Sequence, residues 1–302
     1  MTQQRPTKEP KKIVVVGGGM GGLASAARLA KLGHHVSLYE ASDRFGGKCR
    51  TETINGYSFD VGPSLLTLPA VYRDLFLKTG KRIEHLLKID PVDPAFTYIF
   101  HDGKKVQFPN LSHSGTVKAI TESFGAESGA AWHRILTRAE KMWDVSREDF
   151  IENELRPFSF LKRKNLLQDL FTIAPWTSLR SLTHIYSKDP YINKIIDRYA
   201  TYTGSDPRKV PAVLLTIAFV EEAFGAWHIQ GGLGRLAIEI SKRCEELGVE
   251  LHLQSPVKRI MTRENTAIGI ELHSGVKIDA DIVIANSDSE NLYNSLLSHT
   301  SK

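Results

Sequence analysis

Apolar positions along the chain fall into three regimes, and each predicts a different kind of element. Near the start, Ile13 to Val16 form an unbroken β-branched run, the pattern of a strand buried on both faces of a parallel sheet. Glycines follow at once, an amphipathic stretch then predicts a helix to about Leu32 stopped by Gly33, and HVSLYE predicts a second strand ending at Glu40. From about Lys105 to Glu222 the period becomes helical, with apolar residues three and four apart in TVKAITESF, AAWHRILTRAEKMWDV and YINKIIDRYATY. GGLGRL opens a helix running to Leu247 and stopped by Gly248, after which VELHL, VKRIMTR, AIGIEL, KIDAD and DIVIAN read as strands.

Strand, helix and strand at the start, strands again at the end and helices between them predict an α/β domain interrupted by an insertion. The expected division is a disordered tail over 1–10, a cofactor-binding domain over 11–104 and 223–302, and an inserted, largely helical α+β substrate domain over 105–222. DIVIAN is expected as a central strand of the sheet, with Asn286 at its carboxyl end, where open α/β sheets place ligands.

Composition adds limits. The 302 residues suffice for one large or two ordinary domains, and 41% hydrophobic with 24% charged residues is ordinary globular usage. A net charge of +5 would tolerate an anionic partner, but the cations are spread along the chain, so nucleic acid is not indicated. Cys49 and Cys244 belong to no metal-spaced cluster, so neither zinc nor a disulfide framework is expected and a reducing cytoplasm fits best. Lys11 and Lys12 before IVVVGGGMGGLASAA imitate a signal peptide, yet ordered glycines break the apolar stretch, and a helix and second strand continue from it as a domain opening does. No segment approaches the ~20 apolar residues of a membrane span.

The opening carries the clearest chemistry. In Gly17-x-Gly19-x-x-Gly22 the first glycine permits a tight turn, the second lets backbone approach a pyrophosphate, and the third lets helix and strand pack closely. The helix N-terminus adds free N–H groups and positive potential. Glu40, ending the second strand, can accept hydrogen bonds from both ribose hydroxyls and would repel a 2′-phosphate, which disfavours NADP. This fingerprint fits the ADP half of NAD or FAD alike. Next comes ASDRFGGKCRT, where Gly46 and Gly47 would let backbone lie along a second length of an extended cofactor, with Arg44 and Lys48 offering charge to phosphates. That addition favours FAD; an ordinary glycine loop with solvated cations is the plain alternative.

The pattern GGGMGGLASAARLAKLGHHVSLYEASDRFGGKCRT, then GYSFDVGPSLLTLP, resembles the phytoene desaturase (carotenoid desaturase) family of the flavin-containing amine oxidase superfamily. TGSDPRKVPAVLLTI, EEAFGAWHIQGGLGRL, ELHLQSPVKRI and ADIVIANSD follow in that family's order, so the resemblance spans nearly the whole chain. It implies a Rossmann-type (GR2-like) FAD-binding domain and FAD-dependent dehydrogenation of an apolar polyene such as phytoene, by hydride transfer to the flavin. Recognition of a hydrocarbon needs apolar surface and shape, so no charged catalytic cluster is required. The resemblance places Gly62, Pro63 and Ser64 near the flavin, gives Val257 the adenine through its backbone, and sets Trp227 and His228 where aromatic residues face flavin or substrate. For the Gly62–Ser64 segment a strand-turn core piece, and for Trp227 and His228 a packing role, are equal alternatives, and a lone histidine beside apolar residues is no general base on sequence grounds. The family continues past DIVIAN into a further sheet and a glycine-rich motif, which makes a fragment the expected reading of this chain.

A lipid-dissolved substrate must be taken from a bilayer. LRPFSFLKRKNLLQDLFTIAPW mixes Arg156, Lys162, Arg163 and Lys164 with Phe158, Phe160, Phe171 and Trp176, which suits an interfacial segment; a helix packed on the sheet with a solvated basic face is the alternative. The expected location is cytoplasmic and peripheral at the membrane face. Rival readings are a carotenoid isomerase or oxidase, an amine or protoporphyrinogen oxidase, and a non-catalytic prenyl-protein-binding relative, the last disfavoured by the retained Gly17, Gly19, Gly22 and Glu40. Neither a metal site nor an oligomeric state is assigned by the sequence.

Overall fold

The computed structural model describes residues 9–147 and 166–297. The chain divides into two compact units, Met1–Asp90 with His228–Lys302, and Pro91–Trp227. Of the tail expected over 1–10, residues 1–8 lie outside the described residues.

In the first unit, strand β1 (Lys12–Val16) runs into helix α1 (Met20–Lys31) and returns as strand β2 (His35–Tyr39), parallel to β1 with Val14 opposite Ser37. On its other side β1 pairs in parallel with Ile282–Ala285, and β2 pairs with Glu250–His252. The order of the described sheet is therefore Ile282–Ala285, β1, β2, Glu250–His252. DIVIAN, expected as a central strand, stands at an edge. Among the described residues it bonds to β1 alone, its residues are exposed or half-buried, and the interior place belongs to β1, whose Ile13 to Val16 are all buried.

Alternation along β1 explains why its run is apolar throughout. Val14 and Val16 join Tyr39, Ile260, Ile270 and Leu296 in a cluster with the antiparallel sheet Val257–Arg263, Thr266–Leu272, Lys277–Asp279. Ile13 and Val15 are just as buried on the opposite side. Helix α1 packs against helix Gly234–Glu246, and the Cys244 thiol lies 3.4 Å from the Leu23 carbonyl. Each apolar side chain fully buried here contributes about 1.5–3 kcal/mol. Strands β3 (Thr51–Ile54) and β4 (Tyr57–Asp60) form a hairpin that leads into helix α2 (Pro69–Thr79).

The second unit holds a β-hairpin, Phe96–Ile99 with Lys105–Phe108, and helices that include His113–Phe124, Ala126–Arg147, Pro190–Asp197 and Thr216–Phe224. The three helical segments expected from periodicity are present. In Ala126–Arg147 the buried Trp132, Ile135, Leu136, Ala139 and Met142 keep the three-and-four spacing that makes one apolar face. The hairpin packs on that face through Phe108, whose ring meets Trp132 at 5.1 Å. This packing draws the compact unit out to Pro91 and Trp227, beyond the boundaries at 105 and 222 expected from helical periodicity alone.

Candidate functional site

The glycine loop lies where β1 ends. Gly17 donates its N–H to the Tyr39 carbonyl at 2.8 Å, and Asn286 donates its N–H to the Val16 carbonyl at 2.8 Å, so three strand ends are knitted together beneath the loop. Gly17 has φ +98°, a conformation that side chains rarely adopt. A Cβ on Gly22 would sit 2.0 Å from the Gly17 carbonyl oxygen, which shows directly why the third glycine is needed. Gly19 is the N-cap of α1 and supplies no side-chain cap; no acidic residue lies in the first turn. The free N–H groups of that turn thus keep their capacity for an anion.

Glu40 is half-buried at the end of β2. Its Oε2 accepts the Gly18 N–H at 2.7 Å, and its Oε1 accepts the Ser42 N–H at 2.9 Å. The Ser42 hydroxyl also donates to Oε1, at 2.8 Å; an ionised carboxylate has about four acceptor sites, so about one is left for a further hydroxyl donor. Asn286, expected to face a ligand, braces the loop instead: its Nδ2 donates to the Gly17 carbonyl at 3.3 Å.

Gly46 of the second glycine pair packs against the first glycine loop. Gly46 donates its N–H to the Gly18 carbonyl at 2.8 Å and bridges Gly19 in parallel, so this turn docks on the first loop through backbone hydrogen bonds. Arg44 pairs with its neighbour Asp43 at 3.1 Å and, with Arg50 and Arg235, lines a cavity of about 350 Å³. Lys48 is exposed, and its carbonyl packs so tightly on Gly62 that an added Cβ there would lie 1.8 Å from the oxygen. Gly62, Pro63 and Ser64 form an exposed loop after β4.

Two residues missed by sequence reasoning hold this region together. Asp60 accepts the Leu233 N–H with both carboxylate oxygens at 3.0 Å, and Thr51 donates to Asp60 at 2.5 Å while accepting the Gly234 N–H at 3.2 Å. They cap helix Gly234–Glu246 from a hairpin far away in sequence. Gly232 and Gly234 are required by this closeness: an added Cβ would lie 2.5 Å from the Thr51 hydroxyl oxygen and 2.5 Å from the Thr51 nitrogen, respectively. Val257 begins its strand in the apolar cluster with Tyr39, just after Ser255 donates to the Glu40 carbonyl at 2.8 Å. Trp227 is half-buried and donates its indole N–H to the Phe224 carbonyl at 2.8 Å, while His228 is exposed. Burial raises the Cys49 thiol and pushes Cys244 up to about 12, so neither is a ready nucleophile. Among the described residues no group of three or more metal-ligating side chains is arranged to hold an ion.

A cradle of backbone N–H groups, a half-buried carboxylate one strand away and a second glycine turn docked on the first fit a dinucleotide with its pyrophosphate at α1. A family model described as flavin containing amine oxidoreductase matches residues 20–300. The chain belongs to that family. Among curated relatives, 4,4'-diapolycopene oxygenase of Methylomonas sp is 28% identical over 93% of this chain and 56% of its own length. Hydroxyneurosporene desaturase of Cereibacter sphaeroides is 32% identical over 92% and 56%, and phytoene desaturase of Cercospora nicotianae is 29% identical over 98% and 47%. The chain spans about half the length of these relatives. An oxidoreductase from Methanosarcina mazei has the same fold, with a TM-score of 0.66 at 20% identity, over 96% of this chain and 62% of that one. The family expected from the sequence is thus the family found, and its Rossmann-like fold is the one observed.

Proposed function

We propose that this chain carries the FAD-binding part of an FAD-dependent desaturase that acts on an apolar polyene of the phytoene type. The observation that carries the reading is the Gly17–Gly22 cradle with Glu40 at the end of the adjacent parallel strand, in a chain whose relatives are named as carotenoid desaturases and oxygenases. The α1 N-terminus would receive the pyrophosphate and Glu40 the adenosine ribose, with Gly46 and Gly47 allowing the cofactor to lie along the second turn. Val257 would hold the adenine through its backbone, and Gly62, Pro63 and Ser64 would border the flavin, as the family resemblance implies. Lys48 and Arg44 are the cations offered to the phosphates, Arg44 being paired with Asp43. When bound, the flavin accepts a hydride from a substrate C–H bond. Trp227 and His228 are candidate substrate-channel residues.

The inserted unit is read as the substrate domain, resting peripherally on a membrane at its cytoplasmic face. Support comes from helix Leu166–Ile173, which has no buried residue and exposes Leu167 and Phe171, with the exposed Trp176 edge-on to Phe171 at 5.7 Å. The basic residues Arg156, Lys162, Arg163 and Lys164 of the same stretch lie outside the described residues. No described helix is long and apolar enough to cross a membrane.

FAD titration of the 302-residue chain and of Glu40→Ala, followed by absorbance, tests the cofactor reading. Saturable binding weakened by the substitution supports it; equal affinity in both removes Glu40 from the site. Phytoene in liposomes then tests the substrate: new conjugated double bonds mark a desaturase, and an oxygenated product with unchanged unsaturation marks the oxygenase reading that the Methylomonas relative favours.

A further inference from the structure

The second unit contains a chain of ionisable groups that the proposed chemistry does not use. Glu222, near the end of helix Thr216–Phe224, is nearly buried and accepts the Trp132 indole N–H at 3.0 Å. Its other oxygen meets Nδ1 of His113, the first residue of helix His113–Phe124. The Nε2 of His113 in turn lies 2.8 Å from Nδ1 of His133, on the middle of helix Ala126–Arg147. Three helices are thereby tied together at one wall of a cavity of about 330 Å³, which Leu111, Leu136 and Phe219 also line.

Ring geometry decides what lies between the two imidazoles. Their centroids are 5.1 Å apart and the facing nitrogens 2.8 Å, a difference of about two ring radii, so both nitrogens lie on the line joining the rings. Their lone pairs point at one another, as in a hydrogen bond, and do not converge on a third point as metal ligands would. The Glu222 carboxylate only accepts, so Nδ1 of His113 carries hydrogen. One further proton fits between the rings, on either nitrogen. A second one would set two N–H groups and two positive charges head to head.

We propose that His113 and His133 share a single proton as a latch, and that uptake of a second proton by the pair releases His133 and opens the cavity it borders. The other ionisable groups around the pair are few. Glu140, seven residues along the helix from His133, lines the cavity, and Glu221 is turned to Arg198 at 2.6 Å. Glu222 anchors His113, so the half that moves is the exposed His133. The second proton would turn the His133 side chain out of the cavity wall and loosen the helix locally around it, while Trp132 stays on Glu222.

The test is a pH titration of the full chain by ¹H–¹⁵N correlation of the histidine rings, with amide hydrogen exchange as the second readout. Coupled, two-step titration of His113 and His133 is expected, together with a bridging ring proton that disappears in acid. Amides around 111–115 and 131–140 should exchange about tenfold faster below the second step. His133→Gln keeps one hydrogen bond but cannot take the second proton, so His113 should then titrate in one step and the acid rise in exchange should vanish. Two independent single-step curves in the parent chain, each unchanged when the other residue is replaced, would overturn the proposal. So would an acid opening of the same amides that persists in His133→Gln.

Discussion

The Asp60 carboxylate receives the Leu233 backbone N–H on both of its oxygens, each at 3.0 Å, across 173 positions of sequence. Leu233 is the N-cap of helix Gly234–Glu246 and has no side chain to cap it, so β4 supplies the missing acceptor from outside the helix. Asp60→Ala strips a partner from both Leu233 and Thr51, and should lower unfolding stability by roughly 1–3 kcal/mol. Asp60→Asn keeps one acceptor oxygen and should lose less than half as much. Urea denaturation followed by far-ultraviolet dichroism reads both, and equal loss from the two variants would count against capping as the role.

A pair of glycines separates steric from conformational demand. At Gly22 the obstacle is the Gly17 carbonyl, 2.0 Å from an added Cβ, and backbone cannot move aside by changing rotamer. At Gly33, φ is +91° but nothing lies within 4 Å. Gly33→Ala should cost about 1 kcal/mol, the ordinary penalty of a left-handed alanine, whereas Gly22→Ala should cost about 1–3 kcal/mol and also weaken FAD binding by displacing the loop. Chemical denaturation midpoints and FAD titration of the two variants give the comparison directly.

What the sequence revealed, and what it concealed, follows from distance along the chain. The turn of Gly17–Gly22, the helix after it and Glu40 are fixed by neighbours within about one strand-helix-strand unit, so spacing alone exposed them. The docking of Gly46 on Gly18 is nearly as local. The bonds of Asp60 to Leu233 and of Asn286 to Gly17 are not legible in the sequence, because the partners lie 173 and 269 positions apart and no periodicity records such a pairing. DIVIAN was misjudged for the same reason. Its β-branched run looks like that of β1, but only the number of neighbouring strands separates a central place from an edge. The boundaries at 105 and 222 followed the helical period and cut off the Phe96–Phe108 hairpin, whose allegiance is decided by the Phe108–Trp132 contact.

His113 gives the second unit a pH dependence on the alkaline side. Its hydrogen bond to Glu222, aided by the charges of Glu222 and Glu140, holds the imidazole above its ordinary value near 6.5 against the opposing effect of burial. A raised value in the folded state means that protonation favours folding. The stabilisation is complete below the ordinary value and is lost as pH rises through the raised one. Unfolding midpoints of the parent chain should therefore fall with rising pH across that window, and His113→Gln should flatten the slope there. A slope unchanged by the substitution would assign the dependence to other groups.

The most severe loss of stability is expected at Glu221. This carboxylate is 3% exposed and is held by the Arg198 guanidinium at 2.6 Å and by the Tyr202 hydroxyl. Arg198 lies over the Tyr199 ring at 4.5 Å and the Phe96 ring at 5.1 Å, and burial pushes the nearby Tyr98 phenol up to about 12. In so apolar a setting a lone charge is costly, while an ion pair gains little over packed hydrocarbon because both ions have left water. Glu221→Ala strands Arg198 and should cost about 3–5 kcal/mol. Replacing both partners with apolar side chains of similar volume, Glu221→Leu with Arg198→Met, removes the stranded charge and should recover most of that loss. A double variant as unstable as Glu221→Ala would mean that the aromatic stack over Arg198 and the Tyr202 bond, and not the bare charge, set the stability of this core.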